Sequence, residues 1–316
     1  MAGAHRDAVA ALDNEILAMT ASSLKNTTDA LPRSAADAHA AEVVRGERFT
    51  FGKNWRKFLD TMSEERVQAA VMSVRNMLGR ESLTGSRFLD IGSGSGLFSL
   101  AAHRLGADVV SFDYDSDSVG CTNEMRRRYA PDSTDWTIRQ GSVLDADFMR
   151  SLGQFDVVYS WGVLHHTGAM WKAIDAALER VAPGGWLFIS IYNDQGAWSH
   201  RWAKIKRYYC SGPLGKVVVC ATFIPYQLAR DLVADIVWRR NPWTRYTEYS
   251  RARGMSPVRD WFDWLGGYPF EVAKPEAIIL PVSKRGYRLI NLVTCGGAPG
   301  CVEYVFRHDP AQANPV

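Results

Sequence analysis

The sequence predicts an α/β fold: a doubly wound, seven-stranded, mostly parallel sheet with an N-terminal helical extension and a helical insertion before strand six. Three observations predict it. At Arg87 the apolar period changes from helical spacing to short runs that alternate with helical windows, the pattern of parallel strands joined by crossover helices. After Tyr192 that rhythm is lost across residues 195–264, then returns. The chain closes with two strands joined by a short Gly-rich turn.

The elements follow in order. Val9, Leu12, Ile16 and Met19 recur at three-and-four spacing and predict an amphipathic helix. A polar stretch from Thr20 to about Arg45 leads to a block dense in aromatic and basic residues, Phe49 to Leu59, and a further helical pattern reaches Leu78. Strands are predicted at Arg87 to Ile91, Asp108 to Phe112, Trp136 to Gln140, Phe155 to Ser160 and Trp186 to Tyr192. Helices are predicted at Leu97 to Leu105, Ser116 to Arg128 and Met170 to Val181, the last stopped by Pro183, Gly184 and Gly185. The window 195–264 carries twelve Lys and Arg against five acidic residues and six of the 11 Trp, and reads as a helical insertion. A helix near Glu276 to Lys284 and strands at Tyr287 to Thr294 and Val302 to Arg307 complete the inventory.

Composition bounds the function. With 47% hydrophobic and 22% charged residues the chain of 316 buries a large core, which excludes disorder as its main state. A net charge of +3 does not announce nucleic acid or membrane as a partner of the whole molecule. The five cysteines, Cys121, Cys210, Cys220, Cys295 and Cys301, include no C-x-x-C pair and meet no His cluster at zinc spacing, so a reduced, cytoplasmic protein without a metal is expected. Asp7, Asp13 and Glu15 interrupt the N-terminus where a signal peptide needs an apolar run. The longest apolar stretch, Leu214 to Trp238, is broken by Lys216, Arg230, Asp231 and Asp235, and no membrane span is expected. The apolar and basic face of Leu214 to Arg240 permits peripheral membrane contact or a dimer face.

The segment Phe88 to Gly96, FLDIGSGSG, sets glycines at 92, 94 and 96 between a strand and a helix, where the backbone turns sharply and helix amides face a ligand. Leu97 stands where a nicotinamide fingerprint needs its third glycine. Asp90, two residues before the first glycine, points instead to a positively charged or polar ligand. Asp113 falls at the next strand tip, about 20 residues on, where an acid takes both hydroxyls of a ribose; Asp115 is the competing candidate, better suited to cap the following helix.

From about Arg87 to Tyr192 the chain resembles the class I S-adenosylmethionine-dependent methyltransferases of the small-molecule type, such as those of ubiquinone and natural-product pathways. The glycine loop, Asp113, QGSVLD, FDVVYSWGVLHH and PGGWLFIS carry the resemblance. It implies a Rossmann-like fold with a reversed seventh strand, and S-adenosylmethionine as cofactor. It implies that Gly92, Ser93, Gly94 and Gly96 serve the methionine part, Asp113 and Tyr114 the ribose, and Ser142, Val143 and Leu144 the adenine; Asp90 and, at the rim delivered by the fourth strand, Trp161 are further candidates for cofactor contact. Ser142 stands where many members have an acid for the adenine amino group. Phe51, Asn54 and Trp55 are placed to close the pocket from the N-terminal side. The same resemblance divides the chain into an N-terminal helical extension (1–80), a cofactor-binding core (81–194), a substrate lid (195–270) and the C-terminal part of the core (271–316).

Methyl transfer to a hydroxyl needs an aligned acceptor and removal of its proton. The fourth strand delivers His165 and His166 to the rim, and an imidazole that titrates near neutrality suits a general base. Asp194 is the reserve base. Tyr192, Trp198, Trp202 and Tyr268 are candidates for acceptor contact, and the strap Arg253 to Glu276 is a further place to look. The expected activity is methyl transfer to a small molecule, at a hydroxyl. Two competing readings are an RNA or protein methyltransferase, prompted by the basic insertion, and a non-catalytic cofactor-binding subunit. The SWGVLHH segment, where base-methylating enzymes commonly carry an Asn-Pro-Pro-Tyr-like tetrad, speaks against nucleic acid.

Overall fold

A computed structural model describes residues 34–239, 241, 257–298, 300–309 and 311. The helix expected at Val9 to Met19, Trp243 and the first residues of the strap lie outside the described residues. Among the described residues three helices precede the sheet: α1 (Ala35–Val44), α2 (Gly52–Leu59) and α3 (Glu64–Leu78). The α/β alternation follows as β1 (Arg87–Ile91), α4 (Leu97–Arg104), β2 (Asp108–Asp113), α5 (Ser116–Tyr129), β3 (Trp136–Gln140), α6 (Ala146–Leu152), β4 (Phe155–Trp161), α7 (Met170–Leu178) and β5 (Val181–Tyr192). Then come α8 (Ala197–Cys210), α9 (Pro213–Val237), α10 (Pro257–Gly266), α11 (Pro275–Lys284), β6 (Tyr287–Val293) and β7 (Cys301–His308).

The seven strands lie in the order β3-β2-β1-β4-β5-β7-β6. The first five are parallel, and β7 runs antiparallel between β5 and β6. Sequence order reverses between β1 and β4, so the loops that leave those two strands diverge and open a crevice at the carboxyl edge of the sheet. Each face carries its own core. Leu89, Phe155, Leu187 and Phe306 belong to one, and Phe88, Val109, Val157 and Val305 to the other, all of them buried. Adjacent residues of β1 and of β7 serve opposite faces, the period-two geometry of a strand buried on both sides.

Local chemistry sets the boundaries. Asp115 begins α5 by accepting the amide of Asp117 at 2.9 Å, and Asp145 begins α6 by accepting those of Asp147 and Phe148 at 3.0 Å. The sequence reading passed over α6, since seven residues span too few turns to show a helical period. It also ran the helix after Met170 on to Val181; the helix stops at Leu178, and Val181 pairs with Phe155.

The insertion is helical where it is described. Tyr209, Val219 and Leu265 form a small core of its own. The stretch Leu214 to Trp238 folds, as far as Val237, as the single 25-residue helix α9, which is long and apolar enough by length and composition to cross a bilayer, with Lys216, Arg230, Asp231 and Asp235 placed along it.

Phe306, fully buried on β7 between two antiparallel partners, should be among the costliest core positions. Phe306→Ala is expected to destabilise the chain by about 3–5 kcal/mol, read as a lowered urea midpoint at unchanged slope.

Candidate functional site

A cleft of about 1250 Å³ opens at the switch between β1 and β4. Its floor is built where β1 ends. Gly92 has φ +78, and a Cβ there would meet the Val163 side chain at 2.4 Å, so the turn runs against the β4 exit with no room for a side chain. Gly94 has φ +55 and lies under Trp55, whose indole a Cβ would meet at 3.1 Å. The backbone of the turn is thereby left bare toward the cleft.

Three carboxylates line this floor. Asp90 is buried, and its Oδ2 accepts from Ser99 Oγ at 2.5 Å; Ser99 in turn accepts from Ser111, and Ser111 from the Trp136 indole, at 2.7 and 2.8 Å. Burial pushes the Asp90 carboxyl up to about 7, with the nearby Asp113 charge adding to it and the Ser99 hydrogen bond opposing it. Asp113 accepts the amide of Gly94 on one oxygen and that of Asp115 on the other, both at 2.9 Å. Burial raises it to about 6 against the pull of those amides. Asp115 caps α5 with Oδ1, and its Oδ2 accepts the amide of Gly52 at 2.9 Å, which fastens α2 to the sheet edge. Such a floor favours a ligand that brings positive charge.

The N-terminal segment forms the near wall. Arg48 donates to the His166 carbonyl at 2.8 Å and to Glu42 at 2.5 Å, and its guanidinium lies over the Tyr114 ring, 5.1 Å from the centroid. Tyr114 Oη donates to the other oxygen of Glu42 at 3.1 Å. Phe51 packs against His166 at 5.2 Å between ring centroids. Ser142, Val143 and Leu144 line one end of the cleft, and Ser142 Oγ accepts the Leu144 amide at 3.2 Å. Trp161 lies at the rim with its indole donating to Glu303 at 2.9 Å.

The far wall comes from the helical insertion, where Trp198, Trp202 and Trp264 line the cleft beside Tyr192. Behind them Lys206 is fully buried, its ammonium bonded to the Trp264 carbonyl and 4.0 Å from the Trp264 ring centroid. Burial draws that amine down to about 7. The glycine hairpin between β6 and β7 reaches the same cleft through Cys295, Gly300 and Cys301.

His166 lines the cleft with Nδ1 2.6 Å from the Pro269 carbonyl. That contact is a hydrogen bond only when Nδ1 carries the proton, so the neutral ring has its lone pair on Nε2. The expectation of titration near neutrality is corrected: burial pulls the imidazole down to about 3.

Of the residues singled out in the sequence, Asp90, Gly92, Ser93, Gly94, Asp113, Tyr114, Phe51, Trp55 and those named above meet in this cleft. Five do not line it. Gly96 begins α4 at φ +80 and lets it approach Thr122 on α5. Asn54 lies on α2 outside the lining. His165 is fully buried behind Tyr192, 4.0 Å from its ring centroid, with its ring packed edge-on against that of His166 at 4.5 Å. Asp194 turns away and accepts the Gly196 amide at 2.8 Å at the start of α8. Tyr268 contributes its carbonyl, which accepts from the Phe49 amide at 3.0 Å. Missed in the sequence were His39, Arg48 and Lys206. The first lies in a stretch that reads as a polar connector, the second just before the aromatic block, and the third among many lysines and arginines with nothing to mark it as the buried one.

The profile of a family described as "Methyltransferase domain" matches residues 63–233, just over half the chain. A ubiquinone biosynthesis O-methyltransferase from Paraburkholderia phymatum is 32% identical over 111 residues, 35% of this chain and 46% of that protein. One of the same description from Methylococcus capsulatus is 27% identical over 150 residues, 47% of this chain and 62% of that protein. The chain thus spans about half the length of the curated relatives it matches. Among solved structures, the magnesium protoporphyrin IX methyltransferase of Synechocystis PCC 6803 with bound S-adenosylhomocysteine is 14% identical with a TM-score of 0.49, covering 85% of this chain and all of that one.

Asp90 and Asp113 bind a proton more tightly in the folded chain than in the unfolded one, where both titrate near 3.8. Their burden on the fold is therefore absent below about pH 4 and grows as pH rises toward about 7. In urea titrations across that window Asp90→Asn should lose less stability with rising pH than the parent. Parallel curves would show that Asp90 does not carry the effect.

Proposed function

Because the chain belongs to the methyltransferase-domain family, whose methyl donor is S-adenosylmethionine, we propose that it methylates a hydroxyl of a small-molecule acceptor held under the aromatic lid. The observation that carries this reading is the acidic floor beside a bare glycine turn, enclosed by aromatic walls. The donor fits that floor. Its ammonium and sulfonium groups are cations, and its ribose offers two hydroxyl donors to a carboxylate. The backbone at Gly92 and Gly94 would receive the methionine part, Asp113 the ribose, and the Ser142 to Leu144 turn the adenine. When bound, the donor supplies an electrophilic methyl group.

The chain's own residues do the rest. Phe51 and Trp55 cover the near side and exclude water, while Trp198, Trp202 and Trp264 give an acceptor apolar surface to lie on. Nε2 of His166 accepts the proton of the acceptor hydroxyl as its oxygen takes the methyl group, and the Nδ1 bond to Pro269 keeps the ring in the tautomer that makes this feasible. Burial keeps the ring neutral through the neutral range but also weakens it as a base, so in this reading the proton reaches Nε2 only together with methyl transfer, as the sulfonium charge that disfavours a cationic ring is lost. The two relatives described as O-methyltransferases support oxygen as the target.

Two measurements test the reading. S-adenosylhomocysteine should bind with micromolar affinity, on the order of −8 kcal/mol, and Asp113→Ala should weaken it by roughly 1.5–3 kcal/mol through loss of charge-assisted hydrogen bonds; no calorimetric binding to the parent would dismiss the donor. With labelled donor and a panel of phenols and sugar alcohols, His166→Ala should lower turnover by roughly 10²- to 10⁴-fold at unchanged donor affinity. The parent's rate should show no inflection near pH 6.5 attributable to this ring. Turnover near the parental level in His166→Ala would remove the histidine from proton transfer.

A further inference from the structure

The lid helix α9 is amphipathic in the opposite sense to a helix that meets water. In its C-terminal half the inward row, one residue per turn, is Gln227, Asp231 and Asp235, all buried. The outward row is Leu228, Leu232, Val233, Ile236 and Val237, with Trp238 following, and these are 45% to 69% exposed. A surface helix of a water-soluble protein turns its apolar stripe to the core and its polar face outward. Here the polar row is held inside, with Gln227 donating to Asp231 at 3.3 Å, and the apolar row forms a continuous outer ridge.

Among the described residues of α8, α9 and the positions just after them, the exposed Lys, Arg, Asp and Glu side chains have one sign. On α8, α9 and the residues just after, Arg201, Lys204, Arg207, Lys216, Arg230 and Arg239 are exposed, and the acids of the same stretch, Asp231 and Asp235, are both buried. A second copy docked on this face about a two-fold axis would bring like charges together. A sheet of anionic lipid headgroups answers both features, taking the cations at its surface and the apolar ridge among its acyl chains. Exposed Trp198, Tyr208 and Trp238 suit the boundary between those two layers. The same helix lines the cleft with Phe223, Tyr226 and Arg230, so whatever covers its outer ridge lies beside the cleft mouth.

We propose that α9 lies in the surface of an anionic membrane, with its outward apolar ridge immersed and the mouth of the cleft held at the bilayer. This placement stands on the helix and its charges, and does not depend on the chemistry proposed for the cleft.

The test is flotation of the full chain with extruded vesicles of phosphatidylcholine alone, or of phosphatidylcholine with phosphatidylglycerol at about one lipid in three. The mixed vesicles should carry the chain, the neutral ones far less, and salt should weaken capture because the headgroup attraction is screened. The double variant Val233→Asp with Ile236→Asp, neither of which lines the cleft, should lower capture by about tenfold or more. Its far-ultraviolet circular dichroism should match the parent's. Titration of S-adenosylhomocysteine into the same preparation keeps the cofactor reading separate, since either result can fail without the other. Absence of capture by the anionic vesicles would overturn the proposal, as would capture that the double variant leaves intact. So would a dimer, seen by light scattering, that the double variant splits.

Discussion

A short run of carboxylate-to-amide bonds at the tip of β2 holds the functional edge of this molecule together. Asp113 accepts one amide from the glycine turn and one from the entry to α5, and Asp115 accepts one from α5 and one from the start of α2. Two side chains, two residues apart, thus fasten three separate parts of the chain to one strand end. Each bond joins an ionisable acceptor to a backbone donor at a turn or helix start, where the amide has no partner within its own element. Were these carboxylates absent, the glycine turn would lose the contact that fixes Gly94, and the N-terminal segment would keep its hold on the cleft mainly through Arg48 and its aromatic contacts.

That arrangement also explains which parts of the site were legible in the sequence. The glycines and Asp113 could be read because strand, turn and acid follow one another at a spacing set by backbone geometry. Asp115 was read as a cap, which it is, but its second oxygen reaches Gly52, 63 residues away in the chain, and nothing local announces that. Arg48 was missed for the same reason. Its partners, His166 and Tyr114, lie on the far side of two strand-to-helix connections. His165 and His166 make the complementary case. They are neighbours in sequence, yet one is fully buried and the other lines the cleft, so identity alone could not decide between them.

The sheet was the most legible part because its central strands are buried on both faces and read as short apolar runs, bounded by glycine, proline or a helix cap, while the edge strands β3 and β6 alternate between buried and more exposed positions. The lid was less so. Its twelve basic residues against five acids mark it as unlike the core, but Lys206 shows how little composition says about placement. This lysine is buried against Trp264 and Phe270, while five of its basic neighbours on α8 and α9 are exposed. A long alkyl stem next to aromatic rings, on the face of α8 that meets Trp264 of α10, is a tertiary property and leaves no trace in spacing.

The small net charge conceals two opposed fields. The floor of the cleft gathers Asp90, Asp113 and Asp115, while the outer face of the lid gathers exposed cations. Burial works against ionisation of Asp90 and Asp113, so the floor is held in a state that positive charge would relieve. On the proposed chemistry that asymmetry gives direction to turnover. A sulfonium donor brings the compensating charge, and the thioether left after transfer has lost it. The floor that favours the donor therefore holds the spent product less strongly, and release is aided by the same desolvated carboxylates that promoted binding.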